Sequence, residues 1–333
     1  MKVLITGTAG FIGFHLAKSL LNDGYNVHGY DGMTDYYDIN LKQARHNILL
    51  KNHNFVATEG ALEDSDKLDY IANKFQPDII VHLAAQAGVR YSLENPRVYI
   101  NSNIIGTFNV MEVARKQKVK HLLMASSSSV YGANSKMPFT EIEKTDTQLT
   151  IYAATKKANE SMAHSYSYLW NIPTTMFRFF TVYGPWGRPD MMLSKCVSAI
   201  LNNKPIDIYN NGELYRDFTY IDDLIYSIKL LINIIPSNNK KVSKSDSLSP
   251  VAPYRVVNIG NSNKIKLLDF IEIIEKNLSK KAIRNYMPMQ KEDLPATWAD
   301  ASLLNDITDN IPQTNFKDGI NQFINWYYEY YNK

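Results

Sequence analysis

Tyr152 and Lys156 are the pair of side chains in this sequence best suited to moving a proton. Residues four apart on a helix lie one turn from each other on the same face, so the ammonium group is placed near the phenol. A neighbouring cation favours the phenolate and lowers the tyrosine pKa from about 10 toward a value useful at neutral pH. The spacing therefore predicts Tyr152 as a base. The chain has 22 tyrosines, so this prediction depends on partner residues elsewhere in the sequence.

Three glycines near the start of the chain, Gly7, Gly10 and Gly13, form the second chemical pattern. They follow a short apolar run and open a helix-period segment, which is the context of a turn that binds a dinucleotide pyrophosphate. One glycine permits the tight turn, one lets the backbone approach the phosphates, and one lets the helix pack on the strand. The N-terminus of the helix attracts the negative charge.

Asp31 ends the next apolar run, roughly 20 residues after the glycines. A carboxylate there accepts hydrogen bonds from the adenosine ribose hydroxyls and repels a 2′-phosphate, which favours NAD over NADP as the cofactor. Gly32 follows directly, so an ordinary turn residue at the end of a strand is the alternative interpretation of Asp31. Lys156 is expected to bond the nicotinamide ribose in addition to its effect on Tyr152.

The elements that would position these residues alternate between short apolar runs and longer helix-period segments. Buried parallel strands read as continuous apolar runs, and the helices between them form the crossovers. The pattern predicts an α/β fold, a Rossmann doubly wound parallel sheet with a smaller C-terminal lobe. Strands are expected at residues 3–6, 27–30, 55–58, 79–83, 121–125 and 174–180, with helices at 14–22 and 103–117. The expected domains are 1–180, with a strand near 256–259 returning to it, and 181–333.

The composition excludes several classes of protein. Hydrophobic residues make up 45% of the chain and charged residues 21%, which is typical of a soluble globular protein. The net charge of +3 with no long basic run argues against nucleic acid or an anionic membrane as a partner. Cys196 is the only cysteine, so an internal disulfide and a thiolate-rich metal site are excluded and a cytoplasmic location is expected. We expect no signal peptide, membrane span or metal.

Two further segments are assigned no catalytic or ligand-binding role. Residues 237–250 are rich in Ser, Lys, Asn and Asp and predict a solvated surface loop. Residues 323–331 are aromatic at helical spacing, which favours packing in a core or an interface over a ligand site.

Several motifs together resemble the extended short-chain dehydrogenase/reductase family over nearly the whole chain. Besides the glycines and the Tyr152–Lys156 pair, these are His82-Leu-Ala-Ala85, Asn103-Ile-Ile-Gly-Thr107 and Ser126-Ser-Ser-Ser-Val-Tyr-Gly132. Within that family the closest resemblance is to nucleotide-sugar 4-epimerases, specifically the UDP-glucuronate 4-epimerase subgroup. Its signature resembles Arg178-Phe-Phe-Thr-Val-Tyr-Gly-Pro-Trp-Gly-Arg-Pro-Asp190, and residues 287–300 support the match.

The resemblance implies an activity, a cofactor and partners. It implies interconversion of UDP-glucuronate and UDP-galacturonate through a transient 4-keto sugar, with tightly bound NAD, in a homodimer formed through a four-helix contact. Residues 181–333 would be the lobe that binds the nucleotide sugar. The product would supply galacturonate for a surface polysaccharide.

The resemblance also implies roles for individual residues. Tyr152 is the base, Ser127 its hydroxyl partner on the reacting oxygen, and Lys156 the group that tunes the tyrosine. The implied cofactor contacts are Gly7, Gly10, Phe11, Ile12, Gly13, Asp31, Leu62, Leu83, Ala84, Ala85, Asn103, Tyr152 and Lys156. The implied substrate contacts are Arg90, Ser127, Ser128, Ser129, Thr181, Arg188, Arg216, Gln290 and Asp293. Arg216 is expected to bind the diphosphate.

Three positions depart from related patterns. UDP-galactose epimerases usually have asparagine in place of Thr181, and many have an arginine that aligns with Gln290; both departures suit the uronate subgroup. Ala61 stands where the family commonly has an aspartate facing the adenine, which weakens the expected adenine contacts.

The hydroxyls near Tyr152 are interpreted as carboxylate donors. Ser127, Ser128 and Ser129 with Thr181 offer neutral donors able to hold a uronate carboxylate, and Arg188 would close over it with a charge-assisted bond. The alternatives are a serine run that merely ends a strand and an arginine solvated on a loop.

Other functions on the same fold are weighed against this one. A sugar 4,6-dehydratase needs an acidic pair after its active-site threonine, and Ser127-Ser-Ser129-Val130 has none. A UDP-glucuronate decarboxylase shares the oxidation at carbon 4 but usually has asparagine at Thr181. A 4-epimerase of UDP-glucose or UDP-N-acetylglucosamine stays open, since Thr297 lies where the family gates N-acetyl bulk. A non-catalytic NAD-binding protein would have lost Tyr152 or Lys156, and both are present.

Overall fold

The computed structural model of the chain describes residues 1–237, 241–290, 293–309 and 313–331. Its strands are β1 (Lys2–Thr6), β2 (Asn26–Asp31), β3 (Phe55–Glu59), β4 (Ile79–His82), β5 (His121–Ser127), β6 (Thr174–Phe179), β7 (Thr181–Tyr183), β8 (Pro205–Tyr209), β9 (Tyr215–Tyr220), β10 (Tyr254–Ile259), β11 (Lys264–Lys266), β12 (Ile283–Met287) and β13 (Ala296–Thr297). The six predicted strands are all present, with small differences at their ends.

Twelve α-helices are seen in this part of the chain. They are α1 (Phe11–Asn22), α2 (Ile39–Leu49), α3 (Ser65–Phe75), α4 (Tyr91–Glu94), α5 (Pro96–Tyr99), α6 (Gly106–Gln117), α7 (Ile151–Trp170), α8 (Met192–Leu201), α9 (Ile221–Asn233), α10 (Leu267–Leu278), α11 (Ser302–Thr308) and α12 (Phe316–Tyr331). A π-helical turn, Ile100–Ile105, precedes α6, so the segment predicted as one helix at 103–117 begins inside that turn.

The large sheet is parallel throughout and has the strand order β10-β6-β5-β4-β1-β2-β3. Alternate residues of β1 enter different apolar cores, with Val3 and Ile5 in one and Leu4 in the other. Helices cover both faces, which explains why these strands read as unbroken apolar runs. The predicted doubly wound α/β fold is confirmed.

The later elements form two smaller sheets beside the large one. β9 pairs with β7, β11 and β13, and β8 pairs with β12. β10 does not join these smaller sheets. It pairs with β6 of the large sheet, with Tyr254 opposite Thr174. Residues 256–259 are therefore part of the large sheet.

The segment predicted as a solvated loop, 237–250, is partly buried. Residues 238–240 of it lie outside the described residues. Asp246 is fully buried and accepts hydrogen bonds from Arg255 Nε and Nη2 at 3.0 and 3.1 Å. Leu248 is buried too. The prediction is wrong for these two positions, because a carboxylate paired with a guanidinium can be buried where an unpaired one cannot.

The packing prediction for residues 323–331 is confirmed, and the cysteine is buried as well. Cys196 on α8 is a buried core residue. α12 buries Phe323, Trp326 and Tyr327 against the core. Of the helices in the described ranges, none has the length and apolar content needed to cross a membrane.

Candidate active site

A cavity of about 390 Å³ lies at the carboxyl ends of the strands of the large sheet. Open α/β sheets bind ligands at this edge because the loops that follow the strands meet there. Its lining includes most of the residues implied for cofactor and catalysis, namely Gly7, Gly10, Phe11, Ile12, Gly13, Asp31, Leu62, Leu83, Ala84, Ala85, Ser127, Tyr152 and Lys156, and one implied substrate contact, Arg188.

The glycine turn between β1 and α1 has no room for side chains. Gly7 has φ +86°, and a Cβ on it would lie 2.8 Å from the Ala84 nitrogen. A Cβ on Gly13 would lie 2.0 Å from the Gly7 oxygen. Gly10 is the N-cap of α1, and none of the described side chains caps that helix or places an acid in its first turn. The amide groups that begin α1 are therefore available to an anion.

Asp31 is held at the end of β2 by backbone amides. Its Oδ2 accepts from the Ala9 nitrogen and its Oδ1 from the Met33 nitrogen, both at 2.9 Å. Each carboxylate oxygen has capacity for a further hydrogen bond. The two interpretations of Asp31, as a turn residue and as a ribose acceptor, are thus compatible.

Asn103 is fully buried behind the cavity wall and does not line it. Its Oδ1 accepts from the Gln86 nitrogen at 2.8 Å, and its Nδ2 donates to the Gln86 oxygen at 3.1 Å. Nδ2 also donates to Thr155 Oγ1. Both ends of the amide hold the segment after β4 against α7, and the expected cofactor contact of Asn103 stays a prediction.

Tyr152 and Lys156 lie in the first two turns of α7, which Thr150 caps by accepting from the Ala153 nitrogen. Tyr152 is half-buried, and its phenol forms a hydrogen bond with the Ser127 hydroxyl at the end of β5. The Lys156 ammonium is buried and donates to the Ala125 oxygen at 2.9 Å. The residues implied as base, hydroxyl partner and lysine are brought together.

The pKa of the Tyr152 phenol differs from the expectation. Burial raises this pKa, while the Ser127 hydrogen bond and the Arg188 charge lower it. Burial also lowers the pKa of Lys156 to about 8. Lys156 is not among the groups that shift the phenol pKa here, and its ammonium donates to the Ala125 carbonyl, so its tuning of Tyr152 stays a prediction.

Arg188 lies in the cavity wall and is about a quarter exposed. Its guanidinium donates to Asp190 through Nε at 2.9 Å and Nη2 at 2.8 Å. This pair raises the pKa of Arg188 although burial acts in the opposite direction. The interpretation of Arg188 as a solvated loop residue is wrong.

The other expected carboxylate donors lie beside the cavity. Ser128 and Ser129 are half-buried in the 3₁₀ turn Ser128–Tyr131. Thr181 lines a separate pocket of about 20 Å³ with Phe11 and Gly184. Of the four hydroxyls expected together, only Ser127 lines the main cavity. The three others are close in sequence or sheet position, but their side chains do not meet there.

The remaining substrate candidates form a second cluster. Arg90 Nη2 lies 3.3 Å from Asp293 Oδ2, and Arg216 Nη2 lies 3.9 Å from Asp293 Oδ1. Arg90 also stacks over the Tyr209 ring at 4.5 Å. The Gln290 Oε1 atom is buried without a hydrogen-bond partner among the described residues. Residues 291 and 292, inside the motif at 287–300, lie outside that part of the chain.

A family model agrees with this architecture. The model of the NAD dependent epimerase/dehydratase family matches residues 3–243. The chain belongs to this family. The predicted resemblance to NAD-dependent nucleotide-sugar epimerases is confirmed.

Relatives of this epimerase/dehydratase family member share its full length. A probable UDP-glucuronate 4-epimerase of Rhizobium meliloti (strain 1021) is 51% identical over 336 residues, covering 100% of this chain and 98% of the relative. UDP-glucuronate 4-epimerase 1 of Arabidopsis thaliana is 41% identical, covering 99% of this chain and 77% of the relative. A UDP-glucuronic acid 4-epimerase from Bacillus cereus, crystallised with UDP-glucuronic acid and NAD, superposes with a TM-score of 0.88 at 31% identity and covers 99% and 100%.

The cavity residues of this epimerase/dehydratase fit the family's NAD cofactor. The turn at Gly7 and Gly13 admits no Cβ, so a pyrophosphate can approach the backbone, and the uncapped start of α1 faces it. Asp31 would present a carboxylate to a ribose, and Lys156 and Tyr152 line the same cavity. These features would hold NAD with its nicotinamide near Tyr152.

Tyr36 and Lys42 line the cavity and were not predicted from the sequence, and neither was Tyr99, which is buried next to Tyr152. Tyr36 donates to Asp190 Oδ2 at 3.3 Å, and Lys42 Nζ donates to the Thr34 oxygen and hydroxyl. Tyr99 donates to the oxygens of Ala87 and Gly88 and packs edge-on against Tyr152. None of these residues belongs to a motif with fixed spacing. The Tyr36-Tyr37-Asp38 run after Asp31 is the one local signal that the chain offers.

Proposed function

We propose that this protein is a UDP-glucuronate 4-epimerase that interconverts UDP-glucuronate and UDP-galacturonate with tightly bound NAD. The observation that carries the proposal is the meeting of Tyr152, Ser127 and Arg188 in one dinucleotide cavity. A base and a hydroxyl suit oxidation of a sugar alcohol, and a guanidinium suits a carboxylate. The full-length similarity to UDP-glucuronate 4-epimerases supports the same substrate.

The chain's residues would act on the hydroxyl at carbon 4. Tyr152 accepts the hydroxyl proton and later returns it, and Ser127 donates to the same oxygen. Preorganised donors of this kind contribute several kcal/mol to stabilising developing charge. NAD, when bound, supplies the acceptor and then the donor of the carbon-4 hydride. Because the ketone is flat, a sugar that turns over in the cavity is reduced on its other face.

The uronate carboxylate creates a side reaction that the protein must prevent. Oxidation at carbon 4 gives a β-keto acid, which loses carbon dioxide when the bond from carbon 5 to the carboxylate aligns with the carbonyl π system. The bonding electrons then pass into an enolate, which takes a proton from water at carbon 5. Arg188 would hold the carboxylate out of that alignment.

The second cluster would bind the nucleotide diphosphate. Arg216 is half-buried, its partial burial lowers its pKa, and the only carboxylate near its guanidinium among the described residues is Asp293 at 3.9 Å. Arg90 and the Gln290 Oε1 atom, which has no hydrogen-bond partner in the part of the chain that the structure describes, lie in the same region. We assign residues 1–180, with β10, to the cofactor and residues 181–333 to the nucleotide sugar.

The proposal extends to the oligomeric state of the protein, its cellular location and the use of its product. Exposed apolar side chains on α6 and α7, including Phe108 and Trp170, support a homodimer formed through these helices. A single buried cysteine supports a cytoplasmic location. The product would supply galacturonate to a surface polysaccharide.

A proton NMR time course with UDP-glucuronate and added NAD, with released carbon dioxide trapped and quantified separately, tests the function. A new galacturonate anomeric signal without carbon dioxide is the expected result. A pentose signal with carbon dioxide would identify a decarboxylase instead. No change with this substrate would contradict the proposal, and UDP-glucose and UDP-N-acetylglucosamine would be assayed next.

A further inference from the structure

Asp190 contacts two residues that line the cavity, Arg188 and Tyr36. Its two carboxylate oxygens accept from Arg188 Nε and Nη2, and Oδ2 also accepts from the Tyr36 hydroxyl. The side chain is about a quarter exposed. Burial acts to raise the pKa of Asp190, but the Arg188 hydrogen bonds and charge lower it by a larger amount. The net pKa is therefore lowered, and the carboxylate is ionised at neutral pH.

The geometry of the pair leaves one side of the guanidinium free. Nε and Nη2 are used by Asp190, and within the described residues Nη1 has no hydrogen-bond partner. An arginine side chain carries about 2 kcal/mol of rotamer entropy when it is free. A bidentate carboxylate fixes the guanidinium plane, so a second carboxylate can bind the remaining N–H groups with little further ordering.

The backbone around this pair is fixed as well. Trp186 has φ +61°, an uncommon conformation for a bulky residue, and its oxygen accepts from the fully buried Arg45 Nη2 at 2.6 Å. The Arg188 oxygen accepts from the Ser194 hydroxyl at 2.8 Å. Such strain persists only where surrounding contacts impose it. The loop that carries Arg188 and Asp190 is thus held in one shape.

We propose that Asp190, supported by the Tyr36 hydroxyl, is a positioning residue that aims the Arg188 guanidinium at the substrate carboxylate. It thereby determines what fraction of oxidised sugars keeps its carboxylate. This inference rests on the proposed function. It assigns Asp190 no contact with the substrate, since two carboxylates repel each other and Arg188 lies between them.

The test is a product ratio measured on the full-length protein with NAD. Wild type, Asp190→Asn and Asp190→Glu are incubated with UDP-glucuronate labelled with ¹³C at the carboxylate. UDP-galacturonate and carbon dioxide are both quantified by NMR. Asparagine keeps the shape but loses the charge and one acceptor. We expect kcat/KM for epimerisation to fall about ten-fold, the effect of one charge-assisted hydrogen bond, and the carbon dioxide fraction to rise several-fold. Glutamate should restore part of both.

A matched control and a second variant separate positioning from folding. Asp78, another partly exposed carboxylate, accepts from the Lys2 backbone nitrogen and from Lys120 away from the cavity, so Asp78→Asn should keep the wild-type ratio. The ratio is a property of each turnover, so a smaller folded fraction does not change it. Tyr36→Phe removes only the donor to Asp190 and should raise the carbon dioxide fraction to a lesser degree.

Two results would overturn the inference in different ways. If wild type converts UDP-glucuronate and Asp190→Asn gives the wild-type carbon dioxide fraction, the positioning role is wrong and the proposed function stands. If wild type does not convert UDP-glucuronate, both are wrong. If Asp190→Asn turns over too slowly for the product ratio to be measured, calorimetry on the NAD-loaded protein compares its affinities for UDP-glucuronate and UDP-glucose. Loss of the preference for UDP-glucuronate over UDP-glucose supports the inference, and an unchanged preference overturns it.

Discussion

Burial acts on the Tyr152 phenol in the direction opposite to that which base catalysis requires. It raises the phenol pKa, and the groups that oppose it are the Ser127 hydroxyl and the Arg188 charge. A base used near neutral pH must have its pKa lowered toward that pH. At the scale of single residues, then, Ser127 does more than contact the sugar oxygen, because its hydrogen bond also stabilises the phenolate.

Ser127→Ala should change the pH dependence of the reaction as well as its rate. Losing the hydrogen bond raises the pKa of Tyr152, so the acidic limb of the kcat/KM profile should move to higher pH. We expect kcat to fall about a hundred-fold, as for the loss of one oxyanion donor. Steady-state kinetics from pH 6 to 10 measure both. Ser161→Ala, on the exposed side of α7, is the control, and an unshifted limb in Ser127→Ala would contradict the prediction.

Gly13→Ala should weaken cofactor binding for a steric reason. The new Cβ would lie 2.0 Å from the Gly7 oxygen, so the turn between β1 and α1 must open. We expect roughly a ten-fold loss of NAD affinity or more, since the amides of the turn must be precisely placed for the pyrophosphate. NAD fluorescence titration measures it. Gly32→Ala has room for its methyl, with its nearest contact at 3.6 Å, and should bind NAD within about two-fold of wild type.

Among the elements, β10 is attached to its surroundings through buried polar groups. The Asn258 nitrogen donates to Glu141 Oε1 at 2.8 Å, and the Asn258 side chain joins Tyr131 and the Phe139 oxygen. Glu141 is buried, and burial raises its pKa to about 7. An acid whose pKa is higher folded than unfolded binds protons more tightly when folded, so its contribution to stability falls as pH rises from about 4.5 to about 7.

Glu141→Gln should remove this dependence. Glutamine can still accept from the Asn258 nitrogen without a charge to bury, so the variant should gain stability over wild type as pH rises. The gain between pH 4.5 and 8 has an upper limit of about 3 kcal/mol. Urea unfolding at several pH values measures the difference. A constant difference between the two proteins would show that Glu141 does not titrate in this window.

Prediction from the sequence succeeded where the signal was local. Each strand of the large sheet is a short apolar run, and the glycine turn is read within seven residues. Asn103 belonged to a recognised motif, yet its contact with Gln86 depends on how the π-helical turn packs under the wall. Tyr36 and Asp190 are 154 residues apart, and no periodicity or spacing predicts that they meet. Long-range polar contacts carry no pattern in a single sequence.

At the scale of the molecule, α6 and α7 together present exposed apolar side chains. Phe108 packs edge-on against Tyr166, whose ring lies 4.6 Å from that of Trp170. Phe108 and Trp170 are each 45% exposed. A contiguous exposed apolar patch favours association of two copies.

Phe108→Glu should weaken the proposed dimer. The substitution places a charge in the patch, and at a symmetric interface it does so twice. We expect association to weaken roughly a hundred-fold, measured by light scattering after gel filtration at several concentrations. Tyr70→Glu replaces an exposed aromatic residue on α3, outside the patch, and should leave the mass unchanged. A monomeric wild type would contradict the dimer itself.

The position of β10 at the edge of the large sheet bears on how the protein is made. β6 pairs with β5 on one side and with β10 on the other. During synthesis β6 leaves the ribosome long before Tyr254, so its outer edge has no strand to pair with while the intervening region is translated. An unpaired strand edge invites pairing with other chains. A fragment ending near residue 180 would therefore be prone to aggregate, and chaperone binding should be strongest between the emergence of β6 and that of β10.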